Sequence, residues 1–418
     1  VRQDAPAPNV TSAAGASRRW PLLAILTASY GAGAFGMLGI SPLLPSLVDG
    51  FDLTRLQVAY VVPSIYLAGL LFSLPAGGLA DRLGVRPTFL GGLVFSGAWL
   101  LAGAWAPAFS GFLLCLFLAG TGWSVVNPAL GKAIMDLFPA RERGTAMGIK
   151  QMGLTLGGVV SALVLPAVAA TLGWRAAVAA CGVVVGLPAA LAWRPLAGVA
   201  VVARGGPRGA SEADPTVPRW WWARRPALLV FFAGGVIFGM VQAAVLSYLP
   251  LYGTQALGFD KIGAGLLVAC SQLGGAVSRL ALGAASDRWL VDRRSVWLAL
   301  IGACGAAIFA VYAGRPVSAP LVAGPLAFLT GVGAYGWVGI FFVISAEAGG
   351  PRQAGLLSGV AFAAIVVGLL VGPSAFGLLL EAFDGYAAPW AAFAGLATLV
   401  ATTMLVAGPA IDRARGLR

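Results

Sequence analysis

Two basic residues, Lys150 and Arg279, interrupt long apolar runs of this 418-residue chain, and neither has an acidic residue within one helical turn. A cation in such surroundings is expensive and by default faces a cavity or a partner. The chemistry open to this pair is the holding of an anion, through a point charge from lysine and a bidentate fork from arginine. Lys150 lies seven residues beyond Arg143 and Arg279 eight before Asp287, which at the helical rise puts them about 10 and 12 Å inside their runs. They fall at similar depth. Lys150, Gly153, Gly157 and Ser161 form one stripe and Gln272, Gly275, Arg279 and Gly283 another, both at spacings 0, 3, 7 and 11, so each is expected to line a path. Tyr30, Trp123, Asn127, Gln242, Tyr335 and Trp337 can add aromatic walls and hydrogen bonds to a cavity. Histidine is absent and Cys115, Cys181, Cys270 and Cys304 lack paired spacing, so no catalytic residue, cofactor, metal or disulfide is expected.

The elements that must position these residues are membrane helices. Hydrophobic residues make up 59% of the chain, charged residues 10%, and mean hydropathy is +0.89, outside the range of soluble domains. A bilayer core asks for about 20 apolar residues per helix. Helices are the required form, because an open strand edge cannot sit in lipid. The pattern predicts twelve spans, at 20 to 46, 56 to 80, 87 to 105, 109 to 136, 143 to 169, 174 to 193, 226 to 254, 261 to 286, 295 to 313, 317 to 346, 353 to 381 and 387 to 408.

Placing the N-terminus inside puts 21 Lys and Arg on cytoplasmic segments and four outside (Arg55, Arg175, Lys261, Arg315). That asymmetry orients the chain with both termini cytoplasmic. The net charge of +12 sits mostly beside membrane spans, where anionic lipid headgroups, rather than nucleic acid, are the expected partner. The expected organisation is a disordered cytoplasmic tail (1–17), a first six-helix bundle (18–193), a cytoplasmic linker (194–225), a second six-helix bundle (226–408) and a short cytoplasmic tail (409–418). The linker ends in Arg219-Trp220-Trp221-Trp222-Ala223-Arg224-Arg225, which suits a headgroup layer.

The halves are related by repetition. Gly77-Gly78-Leu79-Ala80-Asp81-Arg82-Leu83-Gly84-Val85-Arg86, between spans 2 and 3, returns in degraded form as Gly283-Ala284-Ala285-Ser286-Asp287-Arg288, 206 residues later. At an offset of 211, Gly120, Gly122, Asp136, Gly144, Gly148 and Gly157 pair with Gly331, Gly333, Glu347, Gly355, Gly359 and Gly368. Parallel repeats of this kind occur in transporters. Gly77, Leu79, Ala80, Asp81, Arg82, Gly84 and Arg86 match the loop signature of the major facilitator superfamily. Over essentially the whole chain from Arg18 the sequence resembles that family.

The resemblance implies an all-α membrane protein of twelve helices in two pseudo-symmetric six-helix bundles, with a central cavity and alternating access. It nominates Gly77, Asp81, Arg82, Gly84, Arg86, Gly283, Asp287 and Arg288 as gating residues. Asp81 would face the start of helix 11 near Arg352 and Gln353, and Asp287 the start of helix 5 near Arg143 to Thr145, each carboxylate meeting a positive helix end. Arg279 is similar to the helix 8 arginine of monocarboxylate transporters, oxalate/formate antiporters and nitrate porters. The further cations of those groups are missing here: Ser73, Ala361 and Leu116 stand where they would fall. Asp136 and Glu347, at the cytoplasmic ends of helices 4 and 10, are the candidate proton sites. The expected function is a secondary transporter in a bacterial inner membrane, monomeric, carrying a small organic anion such as a carboxylate by proton symport or exchange. An exporter of neutral or amphipathic compounds and a non-transporting sensor on the same fold are the alternatives.

Overall fold

The computed structural model describes residues 13–138, 140–198, 221–289, 293–314 and 319–414. Within them the first half of the chain forms α1 (Ala13–Gly39), two short helices α2 (Leu44–Phe51) and α3 (Arg55–Val58), then α4 (Val61–Leu83), α5 (Val85–Ala104), α6 (Phe109–Leu137), α7 (Ala140–Leu172) and α8 (Trp174–Ala192). The second half forms α9 (Pro226–Gln255), α10 (Lys261–Trp289), α11 (Arg294–Gly314), α12 (Pro320–Tyr335), α13 (Val338–Ala382), α14 (Ala387–Val406) and α15 (Gly408–Ala414). Eleven stretches among the described residues are long and apolar enough to cross a membrane. The 23-residue α4 stands where the remaining predicted span was placed, between spans 1 and 3.

Helix pairing repeats from half to half. In the first, α1 packs on α7, α4 on α6 and α5 on α8; in the second, α9 packs on α13, α10 on α12 and α11 on α14. Both inter-half seams obey the same exchange, α7 meeting α10 and α4 meeting α13. The tightest crossings are made by glycine, since a side chain would collide with backbone. A Cβ on Gly153 would sit 2.5 Å from the Thr27 carbonyl oxygen of α1, and one on Gly331 would run into the Ser271 carbonyl of α10.

Residues 338–382 are helical throughout, yet this run is two spans. Phe341 packs against Gly235 of α9, while the Ile365 carbonyl meets Gly239 one turn further along the same helix. A straight helix would separate residues 24 apart by about 36 Å, so the run folds back on itself, and Gly349-Gly350-Pro351 lies where it must. Span 10 is also interrupted, at Gly336 and Trp337 between α12 and α13. Two expectations are corrected at the ends. The segment predicted as a disordered tail is helical from Ala13, and the second tail carries α15. Residues 1–12, the linker from 199 to 220 and residues 415–418 lie outside the described residues.

Twelve crossings place both ends of the described chain on one face, where Arg19 pairs with Glu142 at 2.9 Å and the Asp412 carboxylate accepts from the Ser295 hydroxyl at 2.5 Å. The opposite face is tied across the seam by ions. Arg55 meets Asp384 at 2.5 Å, and Lys261 meets Asp49 at 2.6 Å. Each cation opens a helix directly after its cap, Thr54 accepting from the Gln57 amide and Asp260 from the Gly263 amide. The two cap-and-cation units are 206 residues apart, the offset of the loop motif, so the latch is part of the internal repeat. Both pairs are solvent-exposed, where an ion pair contributes about 0.2–1 kcal/mol. Asp384 has φ 46, a conformation asparagine also tolerates. The combined Asp384→Asn and Lys261→Gln variant is expected to widen distances between spin labels placed across this face, while costing less than about 2 kcal/mol of unfolding free energy.

Candidate functional site

Lys150 points from α7 into the space between α1 and α6. Its ammonium donates to the Asn127 side-chain carbonyl and lies 5.3 Å from the centre of the Tyr30 ring. Tyr30 stacks on Trp123 with centroids 5.2 Å apart and planes within 7°. Trp123 and Asn127 share a face of α6 by their spacing of four, so one helix supplies both the platform under Tyr30 and the acceptor for Lys150. Only 6% of Lys150 is exposed, and its contacts among the described residues are a dipole and a π-face. Neither cancels its charge.

Arg279 comes from α10 in the other half. Its Nε donates to the backbone carbonyl of Tyr335 at 2.9 Å, and the phenols of Tyr30, Tyr66 and Tyr335 all lie within its electrostatic reach. The carbonyl is free because α12 ends at Tyr335 and α13 restarts at Val338, leaving an orphan acceptor of the kind every helix end exposes. The break in span 10 thus creates the seat of the arginine. Tyr30 therefore lies against Lys150 and within the electrostatic reach of Arg279.

The other nominated residues divide. Gln272 is 9% exposed, its amide nitrogen has no partner among the described residues, and it faces Gly158 of α7 across the seam, about two turns from the level of the cations. Gln242 on α9 keeps a buried carbonyl oxygen with no partner among the described residues, and no described contact joins it to the cations. Trp337 is fully buried, stacked on Phe238 at 4.9 Å with its indole N–H donating to the Ala334 carbonyl. It is core, and the expectation of a cavity wall is corrected. The stripes are corrected too: Gly153 and Gly157 pack on α1 and Gly275 on Tyr335, so these glycines seat helices and line no path. Tyr66 was missed by the sequence reading, although it stands as a hydroxyl-bearing aromatic in mid-span on the helix that faces the second half.

Of the gating residues, Gly84 joins α4 to α5 at φ 87, which favours glycine. Arg86 stacks its guanidinium 3.9 Å from the Trp193 ring just past α8, a contact within the first half. The side chains of Asp81, Arg82, Asp287, Arg288 and Asp136, with Gly77 and Gly283, lie outside the described residues, as do those of Arg143, Arg352 and Gln353. Glu347 is half-buried and pairs with Arg294 at 3.1 Å, bracing α13 against the start of α11.

The sequence profile of the Major Facilitator Superfamily matches residues 23–373. An uncharacterized MFS-type transporter of Mycobacterium tuberculosis is 30% identical over 70% of this chain and 64% of its own length. Monocarboxylate transporter 11 of Mus musculus is 32% identical over 62% of this chain and 56% of its own, and a probable L-galactonate transporter of Escherichia coli is 27% identical over 58% and 56%. The matched regions thus span less than two thirds of these relatives. Among solved structures, a bacterial homologue of the lysosomal transporter Spinster, inward-facing and unoccupied, aligns with TM-score 0.69 at 16% identity over 96% of this chain and 97% of that one. The nucleoside transporter NupG aligns with TM-score 0.73 at 12% identity over 92% and 99%. These likenesses speak to the fold.

Trp337→Ala should cost about 3–5 kcal/mol of stability by emptying a packed site, read as a lowered unfolding midpoint in detergent. Tyr30→Phe should leave that midpoint within about 1 kcal/mol, because ring, stack and cation contact survive.

Proposed function

The chain belongs to the Major Facilitator Superfamily, a family of transporters rather than enzymes, and from that premise we propose that it moves a small organic anion, a carboxylate, by alternating access around Lys150 and Arg279. The observation that carries this reading is a pair of cations, one from each half, that have no carboxylate among their contacts with the described residues, Tyr30 lying against Lys150 and within the electrostatic reach of Arg279. An anionic substrate supplies the missing countercharge. Names of relatives point the same way, since monocarboxylate, L-galactonate and hexuronate transporters all handle carboxylates.

The remaining parts of the mechanism follow from this site. No histidine occurs in the chain, and among the described residues no carboxylate contacts Lys150 or Arg279. This favours exchange of anions, or symport with a proton that the substrate carries, over a relay through Asp136 or Glu347 at the helix ends. Reorientation moves the halves along the α7/α10 and α4/α13 seams, with the Arg55–Asp384 and Lys261–Asp49 pairs holding one face shut. The positive-inside bias makes that face external, with the protein a monomer in a bacterial inner membrane and basic loops against anionic lipid.

In proteoliposomes, counterflow of labelled carboxylates is expected and counterflow of lipophilic cations is not. Arg279→Lys should weaken carboxylate binding about tenfold or more despite keeping the charge, through loss of charge-assisted hydrogen bonds. Wild-type carboxylate affinity in Arg279→Ala would remove the arginine from the site.

A further inference from the structure

The two cations do not sit together as a single clamp. Lys150 belongs to the first half, where Asn127 and the Tyr30–Trp123 stack fix its ammonium. Arg279 belongs to the second, where the Tyr335 carbonyl at the α12 break fixes its guanidinium. Each is anchored by neutral dipoles from its own half, so no contact among the described residues cancels the charge of either. Tyr30 lies 5.3 Å from the Lys150 ammonium and within the electrostatic reach of Arg279, and α7 and α10 meet along the seam between the halves, so the two cations flank that seam from opposite sides.

Charge balance then decides what fits. One carboxylate neutralises one cation and leaves the other uncompensated in a low-dielectric interior, where an unpaired charge is costly. Two carboxylates on one molecule neutralise both. We propose, building on the anion reading above, that the physiological substrate class is a dianion, a short dicarboxylate that binds one acid group at Lys150 and Asn127 and the other at Arg279, bridging the two halves. The phenol of Tyr66, within the electrostatic reach of Arg279, would supply a hydroxyl donor to the second acid group. Such a ligand cross-links the halves through its own backbone. A monoanion engages one half at a time.

The experiment compares succinate with butyrate, which match in carbon number and differ by one acid group, in binding to the purified full-length protein and in counterflow. The wild type should bind succinate about tenfold or more tighter than butyrate, the increment of one further charge-assisted contact. Lys150→Gln should reduce that preference to within about threefold of parity, mainly by weakening succinate, while Lys150→Arg, which keeps the charge, should retain it. Unfolding midpoints of both variants, compared with wild type, separate a lost contact from a lost fold. Equal binding of butyrate and succinate by the wild type, or a succinate preference untouched in folded Lys150→Gln, overturns the dianion assignment and leaves the anion reading standing. Binding of neither acid, nor of their homologues with one carbon fewer or more, overturns both.

Discussion

A positive charge enclosed in an apolar helix bundle with only dipoles for company is the constraint around which this structure is arranged. Insertion scales put the cost of a central cation at about 2.5–3.5 kcal/mol, and the chain carries one such cation in each half. It answers with an amide carbonyl and an aromatic face for Lys150 and with a backbone carbonyl for Arg279. None of these carries charge. These contacts make the charges tolerable without neutralising them, and on the reading proposed above the residual field draws and orients an anion.

The irregular features of the fold serve that arrangement. The interruption after Tyr335 costs the helix its continuity and yields the acceptor that holds Arg279 in place. Fold-back of α13 brings two spans onto α9, where Phe341 stacks on Phe231 at 4.4 Å and Trp337 on Phe238. The aromatic column so formed stiffens the half that presents the arginine. Glycine crossings do the corresponding work elsewhere, replacing side-chain packing with backbone contact where two helices must run close.

Membrane spans, the internal repeat and the family were legible because apolar run length, charge asymmetry and the loop motif around Asp81 are written locally in the chain. Lys150, Arg279, Tyr30, Trp123 and Asn127 could be nominated because a polar or aromatic group in an apolar run advertises itself. Which of them meet could not be read, since it depends on the rotation of each helix about its axis. Trp337 looked like Trp123 in sequence, yet one is core and the other a platform beneath Tyr30. The glycine stripes misled for a related reason. Spacing fixes a shared face but says nothing of whether that face meets a cavity or another helix. Tyr66 went unnoticed because no neighbouring charge drew attention to it, and its significance comes from Arg279 on a helix more than 200 residues away in the chain.

The crossing of α1 and α7 has one more consequence. Gly31 and Gly153 bring the two backbones into contact next to Tyr30 and one turn from Lys150, so ring and ammonium are fixed to a common rigid frame. On the other side, Gly274 and Gly331 lock α10 to α12 and fix Arg279 to the Tyr335 carbonyl in the same way. Any rearrangement that keeps these frames whole leaves the chemistry at each edge constant and alters only the gap between them. On the dianion reading proposed above, the protein would work as a caliper, gauging the length of a cargo through the separation of its jaws while the shape and charge of each jaw stay the same.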